Sequence, residues 1–205
     1  MCSARGQRKP VSFRQPGSSE QMRLAEIQAG VLLGRGSLLH ASSAAHAGRG
    51  VLFLAPSGGG KSTVVGALSH LGWTPISDDK SVVCQNSAGN NVIYPARVDR
   101  LWGDGDALPS AALDAAVFVD LGGSFEAGPC GNRYFFYRLF RDYSLWADLE
   151  DLLHPHADRP EAREDLREIM WRVPKLRISY DARSQNQRSK VSAWLKSALS
   201  SGIST

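Results

Sequence analysis

The sequence predicts an α/β protein in which helices flank a β-sheet that carries a phosphate-binding loop. The first supporting observation is the apolar run at residues 51–54, which is typical of a buried strand. The second is the glycine-rich turn that follows this run. The third is a helical pattern of apolar residues after the turn, at Val64, Val65, Leu68 and Leu71. This strand–loop–helix order is the one that a nucleotide-binding P-loop requires.

The loop between this strand and helix contains the residue types that phosphate binding needs. Its three glycines have no Cβ, so backbone N–H groups can approach a phosphate closely. Lys61 can reach the β- and γ-phosphates of a nucleotide, and the Ser62 hydroxyl can ligate Mg²⁺. The alternative is an ordinary glycine-rich turn with Lys61 exposed. The predicted nucleotide-contacting residues are Ser57, Gly58, Gly59, Gly60, Lys61, Ser62 and Thr63.

Two adjacent carboxylates form the second candidate feature of the site. Asp78 and Asp79 follow a short predicted strand at 73–77 and begin 17 residues after Lys61. Neighbouring carboxylates repel each other, so they usually need a cation or a shared proton, and a Mg-nucleotide would supply that cation. The alternative is a polar turn in which Asp78 caps the next segment.

The rest of the chain predicts one domain at residues 21–200, preceded by a flexible basic tail at residues 1–20. A strand at 37–46 feeds the P-loop strand through a tight turn at 47–50, so we expect His40 on the strand beside it. The aromatic-rich stretch at 123–143 predicts core or a packed helix. The other predicted elements are a hairpin at 81–94, strands at 115–121 and 173–180, and helices at 142–153, 158–172 and 189–199.

Composition limits the classes of partner and compartment. The 205 residues carry a net charge of +4 and a pI of about 9.1, which favours anionic ligands but does not indicate nucleic acid. The three cysteines are widely separated and lack metal-site spacing, which fits a reducing, cytoplasmic location. No apolar run approaches about 20 residues, so no membrane-spanning helix is expected.

The order of these motifs resembles a known family. This order consists of His40, Gly48-Arg49-Gly50, the loop ending in Lys61-Ser62, and Ser77-Asp78-Asp79. It is similar to that in the catalytic domain of HPr kinase/phosphorylase. That domain shares its core with ATP-dependent phosphoenolpyruvate carboxykinase. The resemblance is strongest over residues 36–84, and segments 94–102 and 173–180 look like parts of the shorter HPr-kinase-like proteins. The resemblance implies a P-loop kinase fold of this type, with a central mixed β-sheet flanked by helices.

The resemblance also implies an activity and a role for each matching residue. It implies an ATP-dependent kinase that phosphorylates a hydroxyl, with a serine of a peptide or protein as acceptor, as in the kinases that tailor lasso-peptide precursors. Asp79 would be the general base, Asp78 and Ser62 would hold Mg²⁺, Lys61 would bind phosphate, and His40 would assist at the reacting centre. Relatives of this family form oligomers, so the resemblance allows a homo-oligomer, although no feature of the sequence demands one. The family's second, basic signature after the aspartates is not recognisable in this sequence, so the acceptor contacts must come from elsewhere, and Arg97, Arg100 and Arg133 are the candidates.

Three alternatives stay open on the sequence. The acceptor could be free serine or another small hydroxyl compound rather than a peptide. The protein could be an ordinary P-loop ATPase in which Asp120, at the end of the predicted strand 115–121, holds the metal. It could also be a module that binds nucleotide without chemistry. The chain has no Asn-Lys-x-Asp motif, which argues against a GTPase.

Overall fold

A computed structural model describes residues 36–86, 88–95, 110–143 and 160–201 of the chain. The predicted basic tail, two of the three candidate acceptor arginines (Arg97 and Arg100) and most of the predicted helix at 142–153 lie outside these residues.

A mixed sheet of nine strands forms the centre of the described structure. The strand order is β1-β5-β6-β7-β3-β2-β4, while β9 also pairs with β7 and β8 pairs with β9. β7 is parallel to β3 and β9, and the other pairs are antiparallel. The predicted central mixed sheet is therefore confirmed. The strands are β1 (Gly36–His40), β2 (Ser42–His46), β3 (Arg49–Leu54), β4 (Thr74–Ser77), β5 (Lys80–Gln85), β6 (Asn91–Pro95), β7 (Ala111–Leu121), β8 (Glu126–Pro129) and β9 (Lys175–Tyr180).

Helices cover both faces of the sheet, which gives two hydrophobic cores. Helices α1 (Lys61–Ser69) and α4 (Gln185–Ser201) pack on one face. Helices α2 (Asn132–Arg138) and α3 (Pro160–Trp171), with a π-helical turn at Leu139–Tyr143, lie on the other. Neighbouring residues at 51–54 of β3 alternate between the two cores, so all four of these positions must be apolar. The β3 side chains are Val51 and Phe53 in the first core and Leu52 and Leu54 in the second.

The predicted strand at 37–46 is wrong in one respect, because it is two strands. β1 pairs with β5, whereas β2 pairs with β3 and β4. Between them Ala41 donates its N–H to the Leu39 carbonyl at 2.9 Å, and the Ala41 carbonyl accepts a hydrogen bond from Ser81 Oγ at 2.9 Å. This buried turn carries the chain from one set of strand partners to another. His40 therefore lies at the end of β1, opposite Lys80, and not beside the strand that precedes the glycine-rich loop.

The remaining differences concern element boundaries and one missed strand. The hairpin at 81–94, the helix at 158–172 and the late strand at 173–180 correspond to observed elements. β8 was not predicted, and α4 begins four residues earlier than expected, at 185 rather than 189. None of the helices described here has the length and apolar content that crossing a membrane requires.

Candidate active site

The glycine-rich loop, residues 55–60, joins β3 to α1 in a compact turn. Gly58 and Gly60 have φ values of 73° and 94°, in the left-handed region that glycine occupies without strain. The Gly59 N–H donates to the Pro56 carbonyl at 2.8 Å. Gly60 is the N-cap of α1, and its carbonyl accepts the N–H of Val64 at 2.9 Å. The predicted order of strand, loop and helix is thus present.

Close packing explains the other requirement for glycine in this loop. A Cβ on Gly59 would lie 2.9 Å from Ala55 Cβ, Pro56 Cδ and the Pro56 carbonyl oxygen. A Cβ on Gly60 would lie 2.8 Å from Leu121 Cδ2, at the end of β7. A Cβ on Gly58 would meet nothing within 4 Å. The shape of the loop therefore depends on Gly59 and Gly60 for space, and on Gly58 for conformation alone.

The Lys61 side chain is buried against the loop. The alternative interpretation, an ordinary turn with an exposed lysine, is therefore not what the structure has. Lys61 is only 5% exposed, and its Nζ donates to the carbonyls of Ala55 at 2.8 Å and Pro56 at 3.2 Å. Burial lowers the pKa of Lys61, and the charges of Asp79 and Asp78 partly offset that effect. The Asp78 carbonyl accepts a hydrogen bond from Ser62 Oγ at 3.3 Å, so the aspartate turn lies beside the first turn of α1.

The turn between β4 and β5 presents the aspartate pair and is held by three serines. Ser77 Oγ donates to the Lys80 carbonyl at 2.5 Å, which closes the turn. Ser42 Oγ, from β2, donates to the Asp78 carbonyl. Ser62 Oγ, from the first turn of α1, donates to the same carbonyl at 3.3 Å. These bonds connect the aspartate turn to the central sheet and to the glycine-rich loop.

The histidine at the end of β1 completes the cluster. His40 Nε2 lies 3.2 Å from Asp79 Oδ1, and the two side chains are 27% and 53% exposed. The Asp79 carboxylate is thus open to a substrate while one of its oxygens contacts the histidine. The structure therefore brings together five of the predicted site residues, which come from three separate stretches of sequence: His40, Lys61, Ser62, Asp78 and Asp79.

The donor set fits a magnesium ion that is held partly by nucleotide. Within the described residues no group of three or more His, Cys, Asp or Glu side chains could hold a metal by itself. The exposed Ser62 hydroxyl and the half-buried Asp78 carboxylate are oxygen donors, which Mg²⁺ prefers. Mg²⁺ is usually bound by one or two protein oxygens together with substrate phosphates and water. Ser62 and Asp78 are thus the residues that would hold it.

The other predicted site residues lie around this cluster or apart from it. Ser57 and Thr63 are exposed at the two sides of the loop. Asp120 is exposed near the end of β7, two residues after Phe118, which pairs with Leu54 of β3. Since β3 and β7 are parallel, Asp120 lies at the same edge of the sheet as the loop. Arg133 is exposed in the first turn of α2, and no described contact connects it to the aspartate pair.

Sequence reasoning missed two residues of this region. Ser42 is fully buried and contacts the aspartate turn from β2, which the assignment of one continuous strand concealed. Leu121 is 50% exposed and lies against Gly60, so it forms an apolar side of the loop. The serine had one available signal, because a hydroxyl predicted on a buried strand must find a hydrogen-bond partner.

No protein-family model and no curated protein matches the chain. Among solved structures, the chain is similar to the HPr(Ser) kinase/phosphatase from Coxiella burnetii, with a TM-score of 0.42 and 10% sequence identity. The match covers 78% of this chain and 94% of that one.

Proposed function

We propose that this protein is an ATP-dependent kinase that transfers the γ-phosphoryl group to a hydroxyl, and that the acceptor is a serine of a peptide or protein. One observation carries the proposal: an accessible His40–Asp79 pair stands on a turn that Ser62 connects to α1, directly after a compact glycine-rich loop whose carbonyls hold the buried Lys61. A phosphate site alone would suit many proteins. A carboxylate placed beside it, with a histidine at 3.2 Å, suits removal of a proton from an acceptor.

The loop and α1 would bind the nucleotide phosphates as a P-loop. Backbone N–H groups of the glycines and the positive end of the α1 dipole favour an anion at this position. The Lys61 ammonium now donates to two loop carbonyls. A phosphate oxygen would offer it a charged acceptor, which forms a stronger hydrogen bond than a neutral carbonyl. ATP binding would therefore compensate the cost of burying this lysine.

Asp78 and Ser62 would hold Mg²⁺ against the phosphates, and the ion would neutralise charge that develops on the transferred group. The Ser62 Oγ–H bond to the Asp78 carbonyl fixes the hydroxyl hydrogen and leaves the oxygen lone pairs available.

Asp79 would accept the proton of the acceptor hydroxyl. The acceptor oxygen then forms a bond to the γ-phosphorus while the bond from that phosphorus to the β,γ-bridging oxygen breaks, and ADP leaves. His40 contacts Asp79 Oδ1, so it would orient the carboxylate and leave Oδ2 for the acceptor. Phosphoryl transfer needs mainly positioning and charge neutralisation, which these residues would supply.

A second candidate is a P-loop ATPase that uses Asp120. The observation in its favour is that Asp120 lies on the strand parallel to β3, at the edge of the sheet where the loop begins. In this alternative Asp120 would hold the metal, and the His40–Asp79 pair would have no role in chemistry.

Transfer of label from [γ-³²P]ATP with Mg²⁺ tests the proposal. The reaction is offered a pool of serine-containing peptides, free serine, or no acceptor, and Asp79→Asn is the control variant. We expect label on a peptide, lost in the variant. Label on free serine alone would make the protein a small-molecule kinase. Release of phosphate without any acceptor, unchanged in Asp79→Asn, would refute the kinase and favour the ATPase.

A further inference from the structure

We infer that Ser42 is a positioning residue that prepares Ser62 for Mg²⁺ through the backbone carbonyl of Asp78. The inference rests on the proposed function, since it concerns the same nucleotide and metal site. It assigns a role to a residue that lies on β2 and not in the loop or in the aspartate turn.

Two serine hydroxyls share one carbonyl oxygen in this region. Ser42 Oγ and Ser62 Oγ both donate to the oxygen of Asp78, the second at 3.3 Å. A carbonyl oxygen has two lone pairs, so these two bonds fill its acceptor capacity. Ser42 is fully buried in the sheet, whereas Ser62 is exposed at the start of α1. The buried Ser42 therefore holds the Asp78 carbonyl in place, and the exposed Ser62 donates its hydroxyl hydrogen to the same oxygen.

The consequence concerns the lone pairs of Ser62. A serine hydroxyl has one hydrogen and two lone pairs, and its hydrogen rotates to suit the nearest acceptor. While the Asp78 carbonyl keeps its place, the hydrogen points to it and the lone pairs remain available for a cation. If the carbonyl moves, Ser62 loses this orientation. Its oxygen would then spend part of its time with the hydrogen directed toward the cation position.

The neighbouring serine shows that this role is specific to one position. Ser43 is equally buried on β2, but its Oγ lies 3.0 Å from Ser81 Oγ, in a bond that joins two strands. Ser81 in turn donates to the Ala41 carbonyl at 2.9 Å. Removing the Ser43 hydroxyl should therefore affect the packing of strands without touching the Asp78 carbonyl. Ser43→Ala is thus a matched control for Ser42→Ala.

Calorimetric titration of ATP, once with Mg²⁺ and once with EDTA, tests the inference without depending on turnover. The measured quantity is the ratio of the two affinities, which isolates the contribution of the cation. We expect Ser42→Ala to reduce this ratio by about 3- to 10-fold, the effect of about one net hydrogen bond. Ser43→Ala should keep the wild-type ratio, and Ser42→Thr, which restores the hydroxyl, should recover it.

The outcomes separate this inference from the proposed function. An unchanged ratio in folded Ser42→Ala overturns the inference alone, as does an equal fall in Ser43→Ala. A wild-type protein that binds no ATP overturns the inference together with the proposed function. If the wild-type protein binds ATP with Mg²⁺ but transfers no label, the proposed kinase activity is refuted. The ratio of ATP affinities with Mg²⁺ and with EDTA still decides the role of Ser42 in that case. If Ser42→Ala does not fold, Ser42→Cys gives the same comparison, because a thiol has similar volume and is a weak donor.

Discussion

The first two glycines of the loop, Gly58 and Gly59, give the sharpest prediction, because alanine should disturb the backbone conformation at one and the packing at the other. Alanine at position 58 would adopt a φ near 73°, which is strained, but its Cβ would meet no atom within 4 Å. Alanine at position 59 has no such strain, but its Cβ would lie 2.9 Å from three atoms of Ala55 and Pro56. One of these is a backbone oxygen and another belongs to a proline ring, so neither can rotate away.

The magnitudes follow from these two causes. The left-handed conformation costs about 1 kcal/mol for alanine, and this cost is present with or without nucleotide. Gly58→Ala should therefore lower the free energy of unfolding by about 1 kcal/mol and reduce ATP affinity less than Gly59→Ala does. Gly59→Ala would widen the loop, and closing it again around phosphate would restore a clash of about 1–3 kcal/mol. That cost corresponds to a loss of roughly 5- to 150-fold in ATP affinity.

Urea denaturation and calorimetric titration of ATP on the same two variants measure both quantities. We expect the stability loss in Gly58→Ala and the affinity loss in Gly59→Ala. If Gly59→Ala binds ATP as tightly as Gly58→Ala, then binding does not require the compact loop seen here, and the argument from its packing is refuted.

Three further predictions concern single side chains. His40→Ala should lower the rate of label transfer about 10-fold or more with a smaller effect on ATP affinity, because His40 contacts Asp79, the proposed general base. Full activity would remove His40 from the site. Burial lowers the pKa of Lys175, so between that lowered pKa and 10.5 the unfolded chain binds more protons than the folded one. The free energy of unfolding of the wild type, relative to that of Lys175→Met, should therefore rise as the pH increases toward 10.5. A difference that stays constant with pH in urea denaturation would contradict this sign. Trp73→Phe should lower the free energy of unfolding by about 1–3 kcal/mol, because the buried Ser192 Oγ would lose its 3.1 Å hydrogen bond from the indole N–H. Unchanged stability in urea denaturation would show that this hydrogen bond contributes nothing.

The sequence predicted the loop well because its determinants are local. Strand, glycines, Lys61 and the start of α1 are consecutive, so spacing alone identifies them. The aspartate pair was also predicted at a strand end, where it lies. The position of His40 could not be predicted in the same way. Its strand changes partners at Ala41, an ordinary alanine without glycine or proline beside it, and only tertiary contacts place the turn there.

Two other features depend on tertiary structure for the same reason. β8 consists of Glu126, Ala127, Gly128 and Pro129, which have low strand propensity, and it forms because it pairs with the otherwise unpaired side of β9. The sequence indicates that a buried Ser42 hydroxyl needs a hydrogen-bond partner, but it does not identify that partner, which is a backbone carbonyl 36 residues away. Contacts between residues so far apart in the sequence can be identified only when the fold is known.

The direct test of the central claim is the rate of acceptor-dependent ADP formation in two variants, Asp79→Asn and Asp120→Asn. Both replace a carboxylate by an amide of the same shape at the same edge of the sheet. If Asp79 is the general base, its variant should lose about 10²-fold or more, while Asp120→Asn should stay within a few-fold of wild type. Loss of this acceptor-dependent activity in Asp120→Asn, with Asp79→Asn fully active, would contradict the account, because Asp79 could then not be the general base.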